Sequence, residues 1–210
     1  DGTANLSIAA KEDNTTIYID WTGNGDLEQY VLKSTYTLFT APVKANVAVK
    51  CYSYEQNDGV TVFSITAPLK AIDGTGMKSA KMFGLSGCEI PIDKIGIPSP
   101  ATLEELTLNA IGLTEQPDLS QFKSLRSLVL NDNKLTTLDL TEVPSLQTVY
   151  ASNNGLTEVK FNNPRLWEAM LSSNKLESID LTGVPAMDQL WLSDNLLDHI
   201  DVSMLKSLKV

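Results

Sequence analysis

Any catalysis by this chain would have to run through very few side chains. One histidine is present, His199, with no cysteine beside it and no partner at metal-ligand spacing. A Ser-His-Asp triad or a zinc site of the H-E-x-x-H kind is therefore not encoded. His199 is expected to be solvated, on a rim or convex side. The stretch DGTGMKS, Asp73 to Ser79, has the flavour of a phosphate loop, but Met77 separates Gly76 from Lys78 and the first glycine of the motif is missing. It reads as a linker. Asp139, Asp180 and Asp201 recur at matched positions with Lys160 between them. Paired-carboxylate chemistry needs a pocket around one substrate, so these read as a solvated column. Cys51 and Cys88 are too few for a disulfide framework, and both are expected as buried small hydrophobes. No catalytic residue, metal ligand or cofactor site is assigned.

The second half of the chain is repetitive. LEELTLNAIGL (Leu103 to Leu113), LRSLVLNDNKL (Leu125 to Leu135), LQTVYASNNGL (Leu146 to Leu156), LWEAMLSSNKL (Leu166 to Leu176) and MDQLWLSDNLL (Met187 to Leu197) start 22, 21, 20 and 21 residues apart. A fixed period of this size marks a solenoid, in which each coil buries its apolar face against the next. Positions 4 and 6 of each coil are expected to point inward from a short parallel strand. Position 9 carries Asn133, Asn154, Asn174 and Asn195. An inward amide there would satisfy backbone groups where the chain leaves the strand, which makes a structural ladder. AKMFGLSGCEI, Ala80 to Ile90, fits the same pattern and puts Cys88 on the ladder. Ile111 takes the place of asparagine in the coil that begins at Leu103. Period-two pairs such as LDL (Leu138, Leu140) and IDL (Ile179, Leu181) predict short extended segments on the convex side rather than long helices. LKSLKV at the end reads as a sixth start.

The pattern L-x-x-L-x-L-x-x-N-x-L, held in phase over five coils, resembles that of leucine-rich-repeat proteins with short, internalin-like repeats. The first ninety residues differ. TIYIDW, YVLKSTYTLF, NVAVKCYSY and VTVFSITA are short, β-branched and aromatic runs separated by turn residues, and they predict an antiparallel β-sandwich. IYIDWTGNGDLEQY resembles the W-G-D-G turn of PKD-type immunoglobulin-like domains, with WTGNGD standing where WGDG would be. That resemblance implies a core role for Trp21 and a place ahead of repeat coils in bacterial surface proteins. The expected architecture is all-β: an immunoglobulin-like β-sandwich over residues 1–76, a transition with a degenerate coil over 77–102, and a leucine-rich-repeat solenoid of about 5–6 coils with a concave parallel sheet over 103–210.

Position 5 of each coil should face the concave surface. It reads Thr107, Val129, Tyr150, Met170 and Trp191. With strands about 4.8 Å apart, the last three form an apolar stripe about 10 Å long. Position 3 contributes Glu168 and Gln189, and position 7 contributes Ser172 and Ser193. An apolar, aromatic centre with a polar rim is the anatomy of an interaction surface. A net charge of −10 argues against nucleic acid and against an anionic membrane surface. No apolar run is long enough to span a bilayer. DGTANLS carries no targeting core and suits a mature or trimmed chain, with a lipid anchor upstream compatible with it. The expectation is a non-enzymatic, secreted or surface-anchored adhesion-type protein with a protein partner. A glycan ligand and a structural or self-associating spacer are the alternatives, and fold does not decide among them.

Overall fold

The computed structural model describes residues 2–10, 15–20, 26, 28–32, 37–43, 47–52, 60–66, 69–75, 80–87, 89–98 and 100–209. The expectations for Trp21, for Cys88 and for the end of DGTGMKS lie outside them, as does that for the side chain of Cys51. The chain divides into two compact units, Asp1–Gly112 and Leu113–Val210.

The first unit holds β1 (Gly2–Ala10), β2 (Thr15–Asp20), β3 (Glu28–Leu32), β4 (Thr37–Val43), β5 (Val47–Tyr52), β6 (Val60–Thr66), β7 (Leu69–Asp73), β8 (Met82–Ser86), β9 (Ile95–Gly96) and β10 (Glu105–Asn109). Up to β6 the pairing is antiparallel: β4–β1–β6 on one side, β3–β2–β5 on the other. The expected antiparallel arrangement then gives way. β7 pairs parallel with β5, β8 parallel with β6, β9 parallel with β7 and β10 parallel with β8. From β6 onward the chain alternates between two sheets, each strand landing beside the one laid down two elements earlier. Parallel neighbours require such a crossover. Coil winding thus begins at β6, ahead of the motif that starts at Ala80. In the degenerate coil that begins at Ala80 the pattern positions sit inside, with Phe83 and Leu85 fully buried and Ile90 nearly so.

The second unit is a parallel solenoid. β11 (Ser127–Val129), β12 (Thr137–Asp139), β13 (Thr148–Tyr150), β14 (Glu158–Lys160), β15 (Glu168–Met170) and β16 (Gln189–Trp191) run in chain order. β11, β13, β15 and β16 form one parallel sheet, and β12 pairs parallel with β14 on the other side. Among the described residues the only helix is one 3₁₀ turn, Ile92–Lys94. Strand side chains alternate sides, so Leu128, Val149 and Ala169 point inward and are fully buried. Leu130, Ala151 and Leu171 at position 6, and Leu135, Leu156 and Leu176 at position 11, complete the stack at 0% exposure. Each larger aliphatic among them contributes roughly 1.5–3 kcal/mol of burial.

Position 8 shows a rule that the leucine spacing does not carry. Gly87, Ala110, Asp132, Asn153, Ser173 and Asp194 all have left-handed backbone, with φ between 52° and 66°. One such residue per coil turns the chain out of the strand. Asn and Asp tolerate it through local side-chain hydrogen bonds, whereas alanine does not have that help.

Candidate functional site

The ladder explains how the concave sheet is held. Asn174 accepts the Leu156 N–H at 3.0 Å and donates to the carbonyls of Leu171 at 2.9 Å and Ala151 at 3.0 Å. Asn154 does the same with Leu135 N–H and the Ala151 and Leu130 carbonyls. Asn195 takes the Leu176 N–H and donates to Leu192 and Leu171. Asn133 accepts from Leu113 and donates to Leu130. Each amide thus ties its own strand exit to the preceding coil.

A further buried asparagine, Asn163, lies outside the ladder at 0% exposure. Its amide donates to the carbonyls of Leu140 and Val143, both at 2.9 Å, and its side-chain oxygen accepts the Asn162 N–H at 3.0 Å. Sequence reasoning missed it, although a signal existed. Where the flanking coils read DLTEVPSL and DLTGVPAM, this one reads KFNNPRL, one residue shorter and with no aspartate. Asp139 and Asp180 begin the two flanking stretches, and Asp201 begins the matching one in the last coil. A fourth member, Asp118, begins DLSQFKSL. All four accept the N–H two residues on, from Thr141, Thr182, Ser203 and Ser120. Bonds from those same residues hold the four carboxyls below their ordinary range. The column of aspartates is exposed, and each one closes a turn.

The concave row is in register. Val129 stands beside Tyr150, Tyr150 beside Met170, and Met170 beside Trp191. Val129, Tyr150 and Met170 are half-buried, and Trp191 is 38% exposed. Position 3 makes a parallel row, Ser127, Thr148, Glu168 and Gln189, with Thr148 donating to the Ser127 hydroxyl at 2.9 Å. Ser172 is half-buried and Ser193 exposed. Thr107 is half-buried on β10 of the first unit, in register with Gly84. The expected apolar stripe is interrupted in one respect. The Tyr150 hydroxyl donates to Glu168 Oε2 at 2.7 Å, and Glu168 is only 9% exposed. The rim carboxylate is drawn into the centre of the face. Trp167, at position 2, is 37% exposed and was not foreseen, because only strand positions 3, 5 and 7 were read as outward.

Burial, then the bond to Glu168, pushes the Tyr150 phenol up to about 12. The unfolded chain ionises near 10, so between those values the unfolded state has lost a proton that the folded state keeps. Stability from this group is full below about pH 10 and falls as pH rises toward 12. Two pH units at about 1.4 kcal/mol each, discounted for partial solvent screening, leave about 1–2 kcal/mol. Denaturant melts from about pH 9 to about pH 12 should show the parent losing that much more than Tyr150→Phe. Parallel curves for the two proteins would sink the assignment.

Chemistry-bearing residues are otherwise dispersed. His199 is exposed on the last coil. Among the described residues no three His, Cys, Asp or Glu side chains gather as a metal site, and no helix is long and apolar enough to cross a membrane. A groove of about 310 Å³ opens beside β14, lined by residues that include Glu158, Lys160, Ser178 and Asp180.

Comparison of the coordinates with solved structures finds coils of the same kind. The functional domain of InlJ from Listeria monocytogenes, which includes a cysteine ladder, superposes with a TM-score of 0.55 over 67% of this chain at 22% identity. The repeat coils have the fold of a leucine-rich-repeat solenoid. The match spans 36% of the InlJ chain. The leucine-rich-repeat domain of APL1B gives a TM-score of 0.47 at 20% identity, over 71% of this chain and 39% of that one. The Leptospira interrogans LRR protein LIC12759 gives 0.29 at 16%, over 68% and 63%. No family model matches the chain, and no curated protein matches it significantly. The comparisons do not support a PKD or immunoglobulin-like first domain. At 22% identity the InlJ match speaks to the fold alone.

Proposed function

We propose that the chain is a non-enzymatic binding module that engages a protein partner through the concave face of its leucine-rich repeats. The observation that carries this reading is the in-register row Val129, Tyr150, Met170 and Trp191, which turns apolar and aromatic area outward from a sheet whose other face is already filled. Aromatic residues and Met are enriched at the centres of interfaces, and Trp and Tyr dominate their energetics. In this reading the protein acts outside a bacterial cell, secreted or surface-anchored, as its internalin-like repeat pattern implies. In the same reading the first 76 residues form an immunoglobulin-like β-sandwich, which the antiparallel pairing of β1 to β6 supports. The exposure of Trp191 and Trp167 beside Gln189 and Ser193 also suits a sugar, by stacking and hydrogen bonding, and keeps a glycan ligand as the second reading.

Affinity capture from the native surroundings, followed by titration of the captured partner, tests the proposal. Trp191→Ala should weaken binding by roughly 2 kcal/mol or more, about thirtyfold, while leaving the melting temperature nearly unchanged. Tyr150→Ala should weaken it as well, and the double variant should be non-additive if both touch one ligand. Thr107→Ala serves as the control. Unchanged binding by Trp191→Ala would remove the concave face from the interaction, and glycan-array binding without any protein partner would favour the second reading.

A further inference from the structure

Glu168 is the one charged side chain among positions 3, 5 and 7 of the four coils that start at Leu125, Leu146, Leu166 and Met187. It is also nine-tenths buried. A carboxylate taken out of water is costly unless it is paired and fully hydrogen-bonded. Here Oε2 takes the Tyr150 hydroxyl, and no donor from the described residues reaches Oε1. The carboxylate is half-satisfied, on a face meant for contact. Its register neighbour is Gln189, and two residues along the same strands stand Met170 and the partly exposed Trp191.

We propose that this face receives an arginine side chain of the protein partner, its guanidinium hydrogen-bonded to Glu168 and stacked on Trp191. The inference rests on the concave-face reading above and names the chemistry of its central contact. A guanidinium fits on both counts. Its planar fork matches a carboxylate, and its face stacks on indole. Lysine would supply charge as a point, without the plane. Charge complementarity extends outward, because a chain with net charge −10 draws a basic surface toward it. Tyr150 fixes the carboxylate in advance, so less freedom is lost when the arginine docks.

The test uses the whole chain and two peptides, Ac-Gly-Gly-Arg-Gly-Gly-NH₂ and the same peptide with neutral citrulline in place of arginine. Titration is followed by NMR through the indole N–H of Trp191. The arginine peptide should shift that signal saturably, and the citrulline peptide should bind at least about tenfold more weakly. Glu168→Gln keeps an acceptor for Tyr150 and should lose the same factor for the arginine peptide. Equal responses to the two peptides overturn the inference without any variant being made, and so does an undiminished response in Glu168→Gln. With the captured partner, loss of binding in Trp191→Ala and full retention in Glu168→Gln would overturn the arginine contact and leave the concave-face reading standing. Retention in both variants overturns both.

Discussion

Asn174→Leu should lower the free energy of unfolding by roughly 2–4 kcal/mol. Leucine keeps the branched shape of the amide, though its methyl groups are bulkier, and it is at home in this core, so burial itself is not lost. What is lost is a set of partners. Leu156 N–H no longer has an acceptor, and the carbonyls of Leu171 and Ala151 each lose a donor. All three bonds are buried, since Asn174 is 7% exposed and Leu156, Leu171 and Ala151 are at 0%. The buried Leu156 N–H is left unpaired, at a cost of about 1–3 kcal/mol, the Leu171 and Ala151 carbonyls keep one donor each from Asn195 and Asn154, and overpacking by the bulkier side chain adds to the loss. Denaturant melts should show a lower midpoint with an unchanged slope. A variant within about 0.5 kcal/mol of the parent, the range of an ordinary surface change, would mean that the amide is not holding the coils together. Loss of slope would mean that single coils unfold separately, as solenoid units can.

That ladder was legible in the sequence because it repeats with the leucines and because an amide is the side chain that can accept and donate at one place. Inward positions 4, 6 and 11 were legible for the same reason: periodic apolar residues have one buried side. Three features were not. The left-handed residue at position 8 is a backbone demand, and it is met by Gly, Ala, Asp, Asn and Ser in turn. No single side-chain type marks it. Asn163 stands where flanking coils carry Val143 and Val184, so its burial reads as an interruption until the one-residue deletion beside it is noticed. Glu168 was legible as a concave position and not as a buried one. Its burial depends on Tyr150 reaching across from the neighbouring coil, a contact that spacing within one coil cannot show. At the front of the chain, β-branched runs announced strands, but nothing in them announced that pairing would turn parallel at β6. Partner choice between two sheets depends on which edges are still open, and one strand's composition does not record that.

The shortened coil also underlies the second large effect, that of Gly183→Ala in the coil packed against it. A Cβ at Gly183 would lie 2.6 Å from the Phe161 carbonyl oxygen and 2.9 Å from its carbon, with Asn162 Cα at 3.2 Å. These are backbone atoms, so no flexible side chain can swing aside. The same glycine's carbonyl accepts the Asn163 N–H at 2.9 Å, and the Asn163 amide in turn holds the Leu140 and Val143 carbonyls. Relief of the clash must therefore push the two coils apart where the shorter one is already pulled tight. The expected loss is about 3 kcal/mol, at the upper end for overpacking, because a buried hydrogen bond is strained together with the packing. Gly183 lies four residues before Met187, which opens the coil bearing Trp191. A shift of that coil moves Trp191 relative to Met170 and Gln189 relative to Glu168, the pairs that set the concave row. Gly183→Ala should thus combine a lower denaturation midpoint with weaker partner binding, whereas Trp191→Ala weakens binding alone. If Gly183→Ala melts like the parent, coils 161–162 and 183 are free to separate at little cost, and the geometry of the concave row does not depend on this junction.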